Sequence, residues 1–300
     1  VTRALVAFTF LCAVFGTTFG AIAIGLRDGW PPLLSAGMRF TLAGVVVVGL
    51  AALRGELRRP SARDLGGITL VGLCVTTATF AALYTAERVL PSSLAALLSA
   101  SSPLFAFTLA VWLGRRRLDL TAIAGLVLGT AGVALVVGFG QAQGGSAALL
   151  AALAIVVSEI AYAGGLTATR GLLERLPMLE VAGGQQLIGG LVLLVLSAAF
   201  EHRAPAQLDP TGLAALLYLA LVASAGAHTI AIWLAGATSA TFASSWTYVS
   251  PFIALLAGAL WLHESIGPSA WIGGALVVCG CVALNADLLR TLRRREAARV

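Results

Sequence analysis

Glu159 stands in the stretch "IVVSEIAY", about twelve residues into an apolar run. A carboxyl group at that depth in a run long enough to cross a membrane is expensive, and by default it is functional. It can take up a proton or hold a substrate ammonium group. Three residues further on, Tyr162 falls on the same helical face. His228 sits inside a later apolar run, where an imidazole can shuttle protons, bond a ligand or serve as a packing residue. Two Ser-Pro steps accompany them, in "SASSPLF" (Ser99 to Phe105) and "TYVSPFI" (Thr247 to Ile253). Proline removes a backbone donor and strains a helix interior. The prolines, Pro103 and Pro251, therefore leave the carbonyls of Ser99 and Thr247 without their helical partners. In lipid such carbonyls need other partners or a wet cavity to line.

The elements that must position these groups follow from composition. The chain has 300 residues, of which 59% are hydrophobic and 11% charged. A soluble domain carries about 25% charged residues. Ten apolar segments are predicted, near residues 4–25, 33–53, 65–86, 92–113, 118–138, 147–169, 181–200, 211–235, 240–262 and 268–289. Each approaches the ~20 residues that a membrane-spanning helix needs. The first is too long for a signal-peptide core and is read as a membrane helix. The fold class is all-α integral membrane, with ten transmembrane helices.

Every one of the nineteen basic residues is arginine. Without lysine the chain has no P-loop and no Schiff-base lysine, so neither ATP hydrolysis through a P-loop nor a covalent retinal is expected. Fifteen arginines fall on the N-terminal side of the predicted crossings, three on the other side and Arg39 within a segment. Positive residues stay cytoplasmic, so both termini are expected there, in the bacterial inner membrane. The net charge of +6 reflects this topology signal, and no nucleic-acid partner is expected. Arg39 lies near the outer end of its helix and is expected to snorkel to the headgroups. The four cysteines lack metal-site spacing and read as packing residues. No cofactor and no metal are expected.

The chain repeats itself with an offset of 148: Ser102 and Pro103 meet Ser250 and Pro251, Gly125 meets Gly273, Gly132 meets Gly280, and Gly16 meets Gly164. The expected units are 1–138 and 147–290, with a basic cytoplasmic tail at 291–300. Five helices is an odd number, so the second unit enters from the opposite face. Two inverted five-helix repeats are typical of secondary transporters, with the site near the midplane between them. Both Ser-Pro steps lie ~11 residues into their helices, or ~17 Å, close to that midplane. They are expected to act as gating hinges.

Sorting the polar residues by helix places Thr17 on the first, Thr77 and Tyr84 on the third, and Ser99 and Ser102 on the fourth. Glu159 and Tyr162 are on the sixth, His228 on the eighth, and Ser244, Trp246, Thr247 and Tyr248 on the ninth. These twelve are the candidate substrate-binding residues. Ser244, Thr247, Tyr248 and Pro251 share one helical face. Helices five and ten carry little polarity and are expected outside the ring, joined through close-packing glycines such as Gly125 and Gly129.

The chain resembles the drug/metabolite transporter superfamily, in its EamA-like branch. The likeness rests on "FGTTF" (Phe15 to Phe19), "MRFTLAG" (Met38 to Gly44) and the paired "SSPLFAFTLAVWL" and "VSPFIALLAGALWLHE" stretches, and covers nearly the whole chain. Phe15 stands where the family usually has Trp. The resemblance implies ten helices in a 5+5 inverted repeat, a cavity among helices one, three, four, six, eight and nine, and ATP-independent export of small metabolites. Within the family it is most similar to the aromatic amino acid exporter group, which implies stacking roles for Tyr84, Tyr162, Trp246 and Tyr248. Cationic drugs or sugar-like metabolites are alternative cargoes. The expected partners are a small-molecule substrate and membrane lipid, with the chain a monomer or weak homodimer. A membrane-embedded enzyme or a receptor is the rival class, but HExxH, GxSxG and paired intramembrane aspartates are all missing from the sequence.

Overall fold

The computed structural model describes residues 2–201, 209–237 and 246–284. These residues are helical and contain no strand. The helices in chain order are α1 (Thr2–Arg27), α2 (Pro32–Leu53), α3 (Ala62–Ala86), α4 (Ser92–Trp112), α5 (Leu120–Gly138), α6 (Gly144–Leu173) and α7 (Met178–Phe200), followed by α8 (His228–Ala237 is its last part, from Pro210), α9 (Trp246–Trp261) and α10 (Pro268–Leu284). Eight are long and apolar enough to cross a membrane, and α9 and α10 are shorter apolar helices. The chain is a ten-helix membrane protein of two inverted five-helix repeats.

Helix starts follow from proline and polar caps. Pro31, Pro91 and Pro177 precede α2, α4 and α7. Ser61 accepts the Asp64 N–H at the start of α3, and Asp119 accepts the Ala122 N–H at 2.7 Å at the start of α5. Two starts are capped from afar. The Glu201 carboxylate accepts the Leu33 and Leu34 N–H groups at 2.8 and 2.9 Å, and Glu264 accepts those of Ser92 and Ser93. Such caps satisfy donors that lipid cannot. The "GQAQGGS" stretch, between the predicted segments 118–138 and 147–169, separates α5 from α6, with non-helical backbone at Gly145. It holds no proline, and the chain turns at Gly145, whose φ of 64° glycine tolerates without a Cβ clash.

The inverted symmetry is written in the packing. Gly125 and Gly273 are equivalent positions, as are Gly132 and Gly280. A Cβ on Gly125 would meet the Gly280 carbonyl oxygen at 2.9 Å, and one on Gly132 the Gly273 oxygen at 2.6 Å. Each position meets the other's counterpart, as a two-fold axis requires. Helices α2 and α7 repeat the pattern: Gly37 packs on Leu194 and Gly44 on Leu187, while Gly183 packs on Val48 and Gly190 on Thr41. Gly37 and Gly183, like Gly44 and Gly190, are 146 positions apart, so the offset differs by two residues between this pair and the α5–α10 pair. Backbones approach closely at these glycines, and van der Waals packing then holds helices that no hydrophobic effect separates from lipid.

The third helix of each repeat also carries a π-helical stretch, Gly72–Ala78 in α3 and Tyr218–Ala227 in α8. π-Segments concentrate at functional sites. The lipid-facing surface is apolar, with Leu260 and the helix-end tryptophans Trp112 and Trp261 well exposed. Of the cysteines, Cys12 and Cys281 are buried, Cys74 is half-buried and Cys279 exposed.

Candidate functional site

Helix α4 is broken where the sequence places its Ser-Pro step. Its first half, Ser92–Ser99, ends one turn before the second, Ser102–Trp112, begins. Pro103 occupies the opening turn of the second half, where its missing N–H is no loss. The Ser101 hydroxyl donates to the Leu98 carbonyl at 2.6 Å, and the Leu104 N–H to the Ser101 carbonyl at 2.9 Å, which repairs part of the interruption. The counterpart Pro251 behaves differently, lying inside the continuous helix α9.

Glu159 of α6 meets this break. It is 3% exposed, and the Ser102 and Ser99 side chains lie within hydrogen-bonding reach of its carboxyl group. Tyr162, one turn along α6, is its electrostatic neighbour. The structure thus brings together four of the candidate residues: Ser99, Ser102, Glu159 and Tyr162. A carboxyl held by hydroxyls can exchange a proton or receive an ammonium group, because each hydroxyl can donate to the carboxylate or accept from the acid.

A second group surrounds Arg39 of α2, and here the sequence expectation is corrected. Arg39 does not snorkel; it is 4% exposed. Its Nε donates to Ser224 Oγ of α8 at 2.9 Å and its Nη1 to the Tyr84 hydroxyl of α3 at 3.3 Å. The guanidinium also lies 4.7 Å from the Phe40 ring centre and 5.0 Å from that of Phe80. Position near a helix end suggested the headgroups. The hydroxyls and ring faces on three helices hold the charge inside instead. Tyr84, fully buried, and Ser224, in the π-segment of α8, become its partners.

A third group joins α1, α8 and α9. The Thr17 hydroxyl shares a 2.6 Å hydrogen bond with the Tyr218 hydroxyl. Phe15 stacks on Trp246 with ring centres 4.1 Å apart and meets His228 edge-on at 5.9 Å. His228 also lies within electrostatic reach of Arg39, linking the second and third groups. Tyr218, Ser224 and Arg39 were not among the sequence-derived site residues. A signal for Tyr218 was available, since it is one of only four tyrosines.

Other candidates lie apart. The Thr77 hydroxyl donates to the Gly189 carbonyl at 3.1 Å and thus ties α3 to α7. The Tyr248 hydroxyl points to the Cys281 carbonyl at 3.5 Å, toward α10. Thr247 is half-buried on α9, and Ser244 lies outside the described residues. At Pro251, α9 packs tightly against α1: a Cβ on Gly16 would meet Ile253 Cβ at 2.5 Å and the Ser250 carbonyl at 3.1 Å. One turn further, Gly20 faces Leu262. A Cβ at the equivalent position in the second repeat, Gly164 of α6, would have nothing within 4 Å among the described residues.

Comparison with known proteins agrees with this architecture. The family model for the EamA-like transporter family matches the chain twice, over residues 3–138 and 149–286. A probable terminal-alkyne amino-acid exporter of Streptantibioticus cattleyicolor is 34% identical, over 99% of this chain and 97% of that protein. The Escherichia coli inner membrane transporter YedA is 30% identical, over 92% of this chain and 88% of that protein. A probable amino-acid metabolite efflux pump of Escherichia coli is 26% identical, over 89% of each. A solved structure shares the fold with a TM-score of 0.66 at 19% identity, covering 95% of this chain and 98% of that one. Two family matches across both halves, with relatives aligned over nearly their whole length, leave one assignment: the chain belongs to the EamA-like transporter family.

Proposed function

We propose that this transporter exports amino acids or close derivatives, aromatic ones favoured, by alternating access around a midplane site, without ATP. The observation that carries the reading is Glu159, a buried carboxyl at the middle of α6, facing the broken turn of α4 through Ser99 and Ser102. An amino acid's ammonium group matches that acid. The aromatic preference draws on Phe15, Trp246 and Tyr162, whose rings offer stacking surface. Two relatives, named as a probable terminal-alkyne amino-acid exporter and a probable amino-acid metabolite efflux pump, support the cargo class. The unequal packing of the repeats supports alternation. The α1–α9 contact is closed at Gly16, and the equivalent α6 position is open at Gly164. With the N-terminus cytoplasmic, this is an inward-open state, ready to load from the cytoplasm.

The test is uptake of radiolabelled phenylalanine, tryptophan and alanine into proteoliposomes carrying the purified protein. The expected result is saturable uptake favouring the aromatic pair. Glu159→Gln should abolish most of it, with expression and melting behaviour near wild type. Uptake unchanged by Glu159→Gln would reduce Glu159 to a structural residue. Transport of none of the three would reject the amino-acid reading.

A further inference from the structure

Outside the α4–α6 site, a cavity of about 570 Å³ lies among the α1–α2, α3–α4 and α9–α10 connections. Arg27, Glu87, Arg88, His263 and Glu264 line it. Its two carboxylates are held in opposite ways. Glu264 is engaged at both oxygens: Oε1 accepts from the Ser92 N–H and hydroxyl, each at 2.8 Å, and Oε2 accepts from the Ser93 N–H at 3.0 Å. Those donors form the N-terminus of α4, where the helix dipole favours a negative charge. Glu87 directly follows α3 and is 7% exposed. Neither of its oxygens has a hydrogen-bond partner, and each exposes less than 1 Å².

A charged carboxylate with no donor and almost no water is strongly disfavoured, whereas a neutral acid tolerates the same place far better. Every packed element presents a charged or titratable group to this position. From α3 and its end come Tyr84 and Arg88. The end of α1 brings Arg27. Arg39 comes from α2, with its hydrogen bonds on Ser224 and Tyr84, and the α9–α10 loop brings His263 and Glu264. Burial is the dominant influence on Glu87. The negative charge of Glu264 adds to it, and Arg39 opposes it without prevailing. The Glu87 carboxyl is accordingly pushed well above the ordinary carboxylate range.

We propose that Glu87 is a proton-binding site, loaded from the outer aqueous phase through this cavity. The ligand is a proton rather than an organic or metal cation, because the oxygens are too buried for a larger ion to touch. Two arginines also line the approach. In the step itself the Glu87 O–H bond breaks, the electron pair stays on the carboxylate and the proton passes to cavity water. The resulting carboxylate attracts Arg39 away from Ser224 and Tyr84, loosening the bond that ties α2 to α8. Proton binding here stands independently of the export reading, whereas its effect on the transport cycle rests on that reading.

The experiment is infrared spectroscopy of the full chain in lipid bilayers, following the protonated-carboxyl stretching band between about pH 5 and about pH 9. Glu159→Gln serves as the background, which removes the buried acid of the α4–α6 site; Glu180, also buried, accepts the Arg58 N–H and is present in every variant. The expected result is a band at neutral pH that disappears in the added Glu87→Gln variant. Glu264→Gln should shift the loss of that band to lower pH, since the repelling charge is gone. Identical spectra with and without Glu87 at neutral pH would overturn the proposal, as would a Glu87 band lost in the ordinary carboxylate range. Should Glu87→Gln not fold, the shift in Glu264→Gln decides alone, and no shift overturns the proposal.

Thermal melting gives a second reading. An acid whose folded value is raised binds more protons folded than unfolded, so stability falls as pH rises from the unfolded value toward the folded one. The wild type should show that decline and Glu87→Gln should lose it; equal slopes in both would count against the site. Neither measurement involves transport, so a failure here is distinct from a failure of the phenylalanine uptake assay.

Discussion

Gly16 of α1 packs onto Ile253 of α9 so closely that a Cβ at Gly16 would lie 2.5 Å from Ile253 Cβ. At the same position in the second repeat, a Cβ on Gly164 of α6 would meet no atom of the described residues within 4 Å. Elsewhere the two repeats obey their symmetry. Gly125 and Gly132 of α5 match Gly273 and Gly280 of α10, Gly37 and Gly44 of α2 match Gly183 and Gly190 of α7, and both third helices carry a π-segment. The departure therefore falls on the helices that bear the Ser-Pro steps and their packing partners. Under the alternating access proposed above, one gate is shut while the other is open, so a single snapshot is expected to be asymmetric there.

The glycine seam between α5 and α10 predicts a stability loss. A Cβ on Gly132 would lie 2.6 Å from the Gly273 oxygen and 2.7 Å from the Val277 N, both backbone atoms that cannot rotate away. Gly132→Val and Gly280→Val should each lower the melting temperature, at a cost of about 1–3 kcal/mol for overpacking. Gly138→Val, which meets nothing within 4 Å, is the control and should be neutral. Thermal unfolding in detergent compares the three. Equal melting of all three would mean the seam relaxes without cost.

Arg39 predicts an interaction that a double-mutant cycle can read. Removing Ser224 leaves one Nε–H without its acceptor, and removing Arg39 leaves a hydroxyl that can find another bond. The coupling between Arg39→Met and Ser224→Ala should be about 1 kcal/mol, in line with interhelical hydrogen bonds in membranes. Arg39→Lys should not rescue, because a point charge cannot bond Ser224 and Tyr84 while lying over two ring faces. Additive effects on melting, or full rescue by lysine, would show that the bridge contributes nothing of its own.

Much of this was legible in the sequence because lipid imposes simple rules. Length and apolar composition fix the helices, and an odd repeat fixes the inversion. Depth alone put Ser99, Ser102 and Glu159 into one set of twelve candidates, and the fold is what sets these three side by side. The misreadings came where depth was not enough. Arg39 was placed by its distance from a helix end, but the hydroxyls and rings that hold it come from α3 and α8, and which helices adjoin α2 is a tertiary fact. Thr77 and Tyr248 were counted as polar and mid-helix. A one-residue rotation, which the π-segments and local packing set, turns such a residue from a cavity to a neighbouring helix. Glu87 escaped notice because it reads as an ordinary residue of a short loop. Only the fold reveals that it is buried beside a second carboxylate.

Orientation follows from the arginine asymmetry and has a direct check. Fifteen arginines lie on the N-terminal side and three opposite. Single cysteines at Arg116, between α4 and α5, and at Arg88, between α3 and α4, replace residues in two connections on opposite faces. With the native cysteines removed, an impermeant thiol reagent added to intact cells should label the Arg88 site and spare the Arg116 site. The reverse labelling would invert the protein in the membrane, and with it the inward-open assignment.

The Ser-Pro steps carry the last prediction. Helix α4 is broken at Pro103, whereas α9 runs through Pro251 without interruption, so the two equivalent steps are held in different states. Replacing Pro103 by Ala supplies an N–H for the Ser99 carbonyl, which favours a continuous α4. That change draws Ser99 and Ser102 away from Glu159, and transport should fall. Stability should hold, because Pro103 stands in the opening turn of its helix half, where proline costs little, and alanine is a strong helix former. Pro251→Ala stiffens α9 in the continuous form it already has. It should bias the protein toward the present state, whereas Pro103→Ala drives it away. The readout is the reactivity of a single cysteine at Ser99 or Thr247 toward impermeant reagents, applied from each face in both variants. Opposite shifts in accessibility support paired gates. Shifts in the same direction, or normal transport by both variants, reduce the two steps to packing kinks.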